Sequence, residues 1–365
     1  MLNNWLRPVS VKLIKEINEL SEDRIGKNIL VFKDELPDLK KTKIAIIGID
    51  ALETDKVRES FYKLSFPFQK LQIADLGNIR KKDHSFVIPV IEELISSSIL
   101  PIIIGKNEES IIAQYQAYQS QGQLVNLASV DEVINYSIDS NKSVLNQVID
   151  KRASHFFNLS FIGFQTHFVS PEVISVFQEK NYDCIRLGKA RTALDQLEPV
   201  IRDADLLSFN LASIKQSDAP GVVNASPNGF FAEEACQISR YAGMSEKLSS
   251  IGFYGFNNKL DQNQQTAQVV AQLIWYFLDG YYGRKNDFPV STKSMIEYVV
   301  ESKVNDMQIR FWKSSKSGRW WMQVPVKTTR KLKRHKLVPC SYNDYQLTCQ
   351  GDIPDRLLNA YKRFS

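Results

Sequence analysis

Six short apolar runs recur along the first two thirds of the chain: KIAIIGID (43–50), ILPIIIGK (99–106), QLVNLAS (123–129), FFNLSFIGFQ (156–165), ADLLSFNL (204–211) and LSSIGFYGFN (248–257). Each is almost continuously hydrophobic rather than alternating, which marks strands covered on both faces. Amphipathic stretches such as SFVIPVIEELISSS (85–98) and EEACQISRYAGMSEK (233–247) lie between them. Strand then helix, repeated, predicts an α/β fold of three α/β/α layers around a doubly wound, mainly parallel sheet. Right-handed crossovers then gather the strand-end loops on one edge, where such folds hold their ligands.

QTAQVVAQLIWYFLDGYYGR (265–284) reads as a long helix with a Gly-containing stop. Beyond it the pattern changes. MIEYVVESKVNDMQIRFWKSSKSGRWWMQVPV (295–326) predicts antiparallel strands with a hairpin turn at KSSKSG (313–318), and PDRLLNAYKRF (354–364) predicts a final helix. The change divides the chain into an α/β domain, 1–285, and a small β-rich extension, 286–365.

Composition narrows the class without naming a chemistry. The chain has 365 residues, 43% of them hydrophobic, enough for a large core plus an appendage. Low-complexity tracts and solenoid repeats are absent from the sequence. The first residues, MLNNWLRPVSVKLIKEINEL, lack the apolar core of a signal peptide, and no run is apolar for about 18 residues, so no membrane span is expected. Cys184, Cys236, Cys340 and Cys349 are widely spaced and read as reduced thiols of a cytoplasmic protein. The formal net charge is +5, and KTTRKLKRHK (327–336) holds much of the excess. Such a segment is solvated, faces a partner or, less expectedly, meets nucleic acid.

The strand-end loops GKNEES (105–110), LASVDEV (127–133) and SFNLAS (208–213) contain none of the four histidines, His84, His155, His167 and His335. They offer Glu108, Glu109, Asp131, Glu132 and the amide oxygen of Asn210, a carboxylate group without imidazole. Three readings stay open from the residues alone: solvated loop acids, a site for a hard cation, or a site for a basic ligand or partner. Glu108 and Glu132 could also work as an acid/base pair. Cys184 and Cys236 sit in apolar contexts that suit packing better than nucleophilic catalysis.

In the order of these loops and their apolar lead-ins, the chain resembles the ureohydrolases, the arginase, agmatinase and formimidoylglutamase family. That family carries three metal blocks at the ends of parallel strands: Gly-Gly-Asp-His, Asp-Ala-His-x-Asp, and Ser-x-Asp-x-Asp followed by Asp-Pro and Pro-Gly. Here PIIIGKNEES (101–110), LVNLASVDEV (124–133) and LLSFNLASIKQSDAPG (206–221) occupy the three places. The likeness extends to IADLGNI (73–79), YDCIRLGKAR (182–191), NGFFAEEACQISRYAG (228–243) and FYGFNNKLDQNQQTAQVVAQLI (253–274), and FNLSFIGFQTHF (157–168) is most similar to the formimidoylglutamase branch. It covers roughly residues 43–283. The extension after it resembles one found on a bacterial subgroup of formimidoylglutamase-like proteins.

Carried over residue by residue, the resemblance puts the first-block histidine at Glu108. The second-block Asp, His and Asp fall at Ala128, Val130 and Glu132, and the third-block aspartates at Asn210 and Ala212. The glutamate that faces the substrate guanidinium in arginases falls at Gly255. Two divalent ions a few Å apart need several carboxylates to offset their repulsion, and Ala128, Val130 and Ala212 cannot ligate. Without metals no bound water is activated for attack on an amidine carbon.

The expectation is therefore a protein with no catalytic residues and no metal cofactor, keeping a degenerate pocket of Glu108, Glu132, Asn210 and Gly255. It would serve as a scaffold or protein-interaction module. Trp312, Arg319, Trp320 and Trp321, with the basic Arg330, Lys331, Lys333 and Arg334, are the candidate contacts for a protein partner. One alternative is a hydrolase of linear amidines that holds manganese on atypical ligands. Another is nucleic-acid binding through the basic segment. The resemblance also allows a homo-oligomer, since ureohydrolases commonly assemble as trimers or hexamers.

Overall fold

The computed structural model describes residues 2–122, 124–140, 143–149, 155–288, 292, 295–301, 308–325 and 336–364. Ten strands form the main sheet: β1 (Leu6–Arg7), β2 (Leu30–Val31), β3 (Ile44–Gly48), β4 (Ile73–Ile79), β5 (Leu100–Gly105), β6 (Val125–Val130), β7 (Phe156–Phe164), β8 (Asp183–Arg186), β9 (Leu206–Asn210) and β10 (Ser250–Tyr254). Their order is β1-β4-β3-β5-β10-β9-β6-β7-β8, with β2 also paired to β4. All pairings are parallel except the antiparallel β1–β4 edge.

Two separate apolar clusters explain the near-continuous hydrophobic runs. Along β3, Ile44 and Ile46 pack into the cluster on one face, while Ala45 and Ile47 pack into the cluster on the other. Successive side chains of a strand point to opposite faces, so a sheet with helices on both sides needs apolar residues at every position. The helix His84–Ser96 supplies Val87, Val90, Ile91 and Leu94 to one face. Helices Ala232–Met244 and Gln265–Tyr282 cover the other, and Gly243 and Gly280 let their backbones meet closely: a Cβ at Gly243 would stand 2.1 Å from the Phe277 carbonyl oxygen. Among the described residues, no helix is long and apolar enough to cross a membrane.

The extension forms a second, antiparallel sheet of four strands, β11 (Met295–Glu301), β12 (Gln308–Ser314), β13 (Trp320–Gln323) and β14 (Leu337–Cys340), in sequential order. The turn between β12 and β13 falls where KSSKSG places it, with Gly318 at φ +75°. Two helices follow, Tyr342–Gln350 and Asp355–Phe364; the sequence pattern indicated only the second.

The small sheet does not stand apart from the large one. Leu124 and Phe157 of the main domain share a cluster with Ile309, Phe311, Trp320 and Phe364. Arg202, 4% exposed, lies with its guanidinium 4.4 Å from the Trp321 ring centre, donates to the carbonyls of Trp320 and Cys340 at 3.2 Å, and ion-pairs with Glu198 at 2.9 Å. Arg319 ion-pairs with Glu198 and Asp287 and donates to the Met244 carbonyl.

This differs from the expectation of an exposed aromatic and basic anchor. Trp320 and Trp321 are buried, and Arg319 meets intramolecular partners. Trp312 is half-buried, its indole N–H donating to Gln323 Oε1 at 3.2 Å. The aromatics of this strand pair face inward because a four-stranded sheet this small completes its core only against the larger domain. Arg330, Lys331, Lys333 and Arg334 lie outside the described residues.

Candidate functional site: an amide-bridged carboxylate cluster

Four strands adjacent in the sheet, β5, β10, β9 and β6, end on the same edge. The loop after β5 carries Lys106, Glu108 and Glu109; Gly255 follows β10; Asn210 ends β9; Asp131 and Glu132 follow β6. A cleft of about 340 Å³ opens between them, lined by Lys106, Glu108, Glu109, Asn210, Ala212 and Gly255 among others. The sheet order thus brings together loops more than a hundred residues apart in sequence, as for Glu108 and Asn210.

At its centre the Asn210 amide nitrogen donates to two carboxylates, Glu108 Oε2 at 3.1 Å and Asp131 Oδ2 at 3.0 Å. The Asn210 carbonyl oxygen accepts from the Ala212 backbone N–H at 3.1 Å. That N–H can only donate, so it fixes the orientation of the amide. Asn135 Nδ2 donates to Glu108 Oε1 at 2.6 Å, and the Glu132 N–H donates to Asp131 Oδ1 at 2.7 Å. Glu132 turns away from this group. Its Oε2 accepts from Gln165 Nε2 at 3.3 Å, and Gln165 also donates to the Asn228 carbonyl.

Neutral amides therefore meet each of these three acids. They donate hydrogen bonds but bring no positive charge, so burial of the carboxylates is only partly compensated. Burial pushes the Asp131 carboxyl up to about 7; the Asn210 hydrogen bond opposes this and the Glu108 charge adds to it. Burial likewise pushes Glu132 up to about 7 against a hydrogen bond from Ser226.

The residues fit a dinuclear metal centre poorly. Ala128 and Val130 are buried in an apolar cluster with Ile162, Phe209 and Phe230, and Ala212, which joins that cluster and lines the cleft, brings no ligating atom. Asn210 points its nitrogen, which cannot ligate, at the acids, while its oxygen is engaged by Ala212. Among the described residues, no three His, Cys, Asp or Glu side chains converge as a metal-holding group.

Gly255 has φ +95°, and a Cβ there would stand 2.7 Å from Asn210 Oδ1. A glutamate at this position would be strained by the left-handed backbone and would have to displace the bridging amide. Of the expected pocket, Glu108, Asn210 and Gly255 come together, while Glu132 serves a neighbouring polar knot.

Asn135 and Gln165 escaped the sequence reading. Each follows an apolar run, but an isolated amide in a loop carries no spacing signal. His167 lines a separate cavity beside Gln165. His335 lies outside the described residues. Burial pushes the Cys184 and Cys236 thiols up to about 12, which leaves them protonated and poorly nucleophilic.

Comparisons with known proteins place the chain at the level of family. The profile of the arginase family matches residues 45–279. The formimidoylglutamase of Staphylococcus haemolyticus is 33% identical over 89 residues, 24% of this chain and 29% of that protein. That of Staphylococcus aureus strain MRSA252 is 21% identical over 243 residues, 61% of this chain and 77% of that protein. Among solved structures, Trypanosoma cruzi formiminoglutamase with Mn²⁺ superposes with a TM-score of 0.62 at 16% identity, covering 72% of this chain and 99% of that one. Formimidoylglutamase from Bacillus subtilis gives a TM-score of 0.63 at 16% identity, covering 73% and 93%. With the family match running over residues 45–279, well over half of its length, this chain belongs to the arginase family.

Proposed function

We propose that this chain is a non-hydrolytic member of its family that acts by binding, as a scaffold or interaction module built on the arginase fold. One observation carries the reading: the Asn210 amide nitrogen bridges Glu108 and Asp131, so a neutral donor stands where two carboxylates would otherwise need a cation. The apolar side chains of Ala128, Val130 and Ala212 support it, because activating a water nucleophile needs metal held by several ligands and these positions provide none. The cleft beside Asn210 is open and polar, which suits reversible capture of a polar group rather than a purely structural filling.

The test is direct. The purified chain is incubated with manganese, desalted and assayed for bound metal and for hydrolysis of formimidoylglutamate, the substrate implied by the curated relatives' names. We expect substoichiometric manganese and no turnover above the uncatalysed rate. Stoichiometric manganese together with turnover would overturn the reading in favour of a hydrolase of linear amidines with unusual ligands.

A further inference from the structure

A second cavity, about 450 Å³, opens beside the ends of β7 and β8. Its lining includes Arg186, Lys189, Arg191, Lys215 and His167, and no Asp or Glu. The chain as a whole is nearly balanced, with 46 Lys and Arg against 41 Asp and Glu. A wall of one sign is therefore a local arrangement, not a reflection of composition.

Two of these cations are held in place. Arg191 Nε lies 3.0 Å from both carboxylate oxygens of Glu234, and its guanidinium sits 4.5 Å from the Phe231 ring centre. The Lys215 ammonium sits 4.5 Å from the same ring. An aromatic face orients a cation without neutralising it. Glu234 offsets Arg191, but no acid in the lining offsets Arg186, Lys189 or Lys215. Like charges gathered around one concavity repel, and an anion entering it relieves that repulsion.

We propose that this cavity is a binding site for a small dianion, a metabolite-sized dicarboxylate or phosphate. Its volume suits such a ligand. Guanidinium and ammonium groups take carboxylate and phosphate oxygens alike, and two negative charges against Arg186, Lys189 and Lys215 bring the wall close to neutrality. Gln165 forms part of the boundary and donates on its other side to Glu132, so the cavity is separated from Glu132 by one side chain. This inference goes beyond the reading of the Glu108 cleft and stands whether or not that cleft has lost its chemistry.

The experiment is calorimetric titration of the full chain with succinate and, separately, inorganic phosphate at low ionic strength. We expect saturable one-site binding of at least one probe, weakening as salt is added. The better probe identifies whether the charge is carried on carboxylates or on phosphate. Arg186→Glu with Lys189→Glu should weaken binding by about tenfold or more, while Lys15→Glu, an exposed lysine on a distant helix, should leave it unchanged. Both cavity residues are exposed, so the double variant should keep its melting temperature near that of the parent. Failure of both probes to saturate at millimolar concentration, or equal binding by the folded double variant, would overturn the proposal.

Discussion

Asn210 Nδ2 stands 3.0 Å from Asp131 Oδ2 and is held there because Ala212 N–H claims the amide's oxygen. A strand-end residue of β9 thus ties down the loop after β6 with a neutral donor. Replacing the donor with an acid should expose what that neutrality does. Asn210→Asp puts a third carboxylate against Glu108 and Asp131 and removes the bridging N–H bonds. In metal-free buffer it should cost about 2–4 kcal/mol, read by urea unfolding. Added manganese should raise the melting temperature of this variant and leave the parent's unmoved; a manganese-dependent rise in the parent would count against the non-hydrolytic reading.

Asp131 also sets a pH dependence. Its folded pKa, about 7, lies above the ordinary value of 3.8. The folded chain therefore holds a proton that the unfolded chain releases, and stability falls as pH rises between those two values, then levels off. Asp131→Asn should flatten that slope and gain stability at pH 8, up to about 4 kcal/mol by the size of the shift. Denaturant midpoints at pH 5 and pH 8 provide the check: a variant with the parent's slope would show that Asp131 ionises normally.

Gly255 tests the carry-over of the family's closing glutamate. With φ +95° and Asn210 Oδ1 2.7 Å from an added Cβ, Gly255→Ala should cost at least about 2 kcal/mol. Gly255→Glu should cost more, and combining it with Asn210→Ala should recover part of the loss. Additive costs in the double variant would mean the two positions do not conflict.

Arg202 should prove central to holding the extension on the main domain. Arg202→Ala removes the Trp321 stacking, the bonds to the Trp320 and Cys340 carbonyls and the Glu198 pair. Breaking a buried, paired charge of this kind costs about 3 kcal/mol. Limited proteolysis should then cut near residues 284–294 at a rate the parent does not show. An unchanged cleavage pattern would mean the shared core around Phe157 and Phe364 suffices.

The strand runs, the long helices and the change of pattern after residue 284 were legible because burial on both faces demands apolar residues at every strand position, as along β3. The short β8 (Asp183–Arg186) and the helix Tyr342–Gln350 were not, since their residues are too few or too polar to carry a period. The order of three loops is what matches Ala128, Val130 and Ala212 to the family's ligand positions, and their apolar side chains were legible as such. What filled the place of those ligands could not be read that way. Whether Trp320 and Trp321 face a partner or the molecule's own core also depended on which surface the small sheet needed to complete itself.

By itself, then, the sequence determined the fold, the edge that bears the site and the apolar side chains at Ala128, Val130 and Ala212, because each follows from local side-chain type and period. Only the tertiary structure decided that Asn210 reaches Glu108 and Asp131 together, that Glu132 pairs instead with Gln165, and that Arg186, Lys189 and Lys215 line one cavity. Those are distances between atoms on loops remote in the chain. They depend on the order in which strands lie side by side and on which face each loop turns after leaving the sheet.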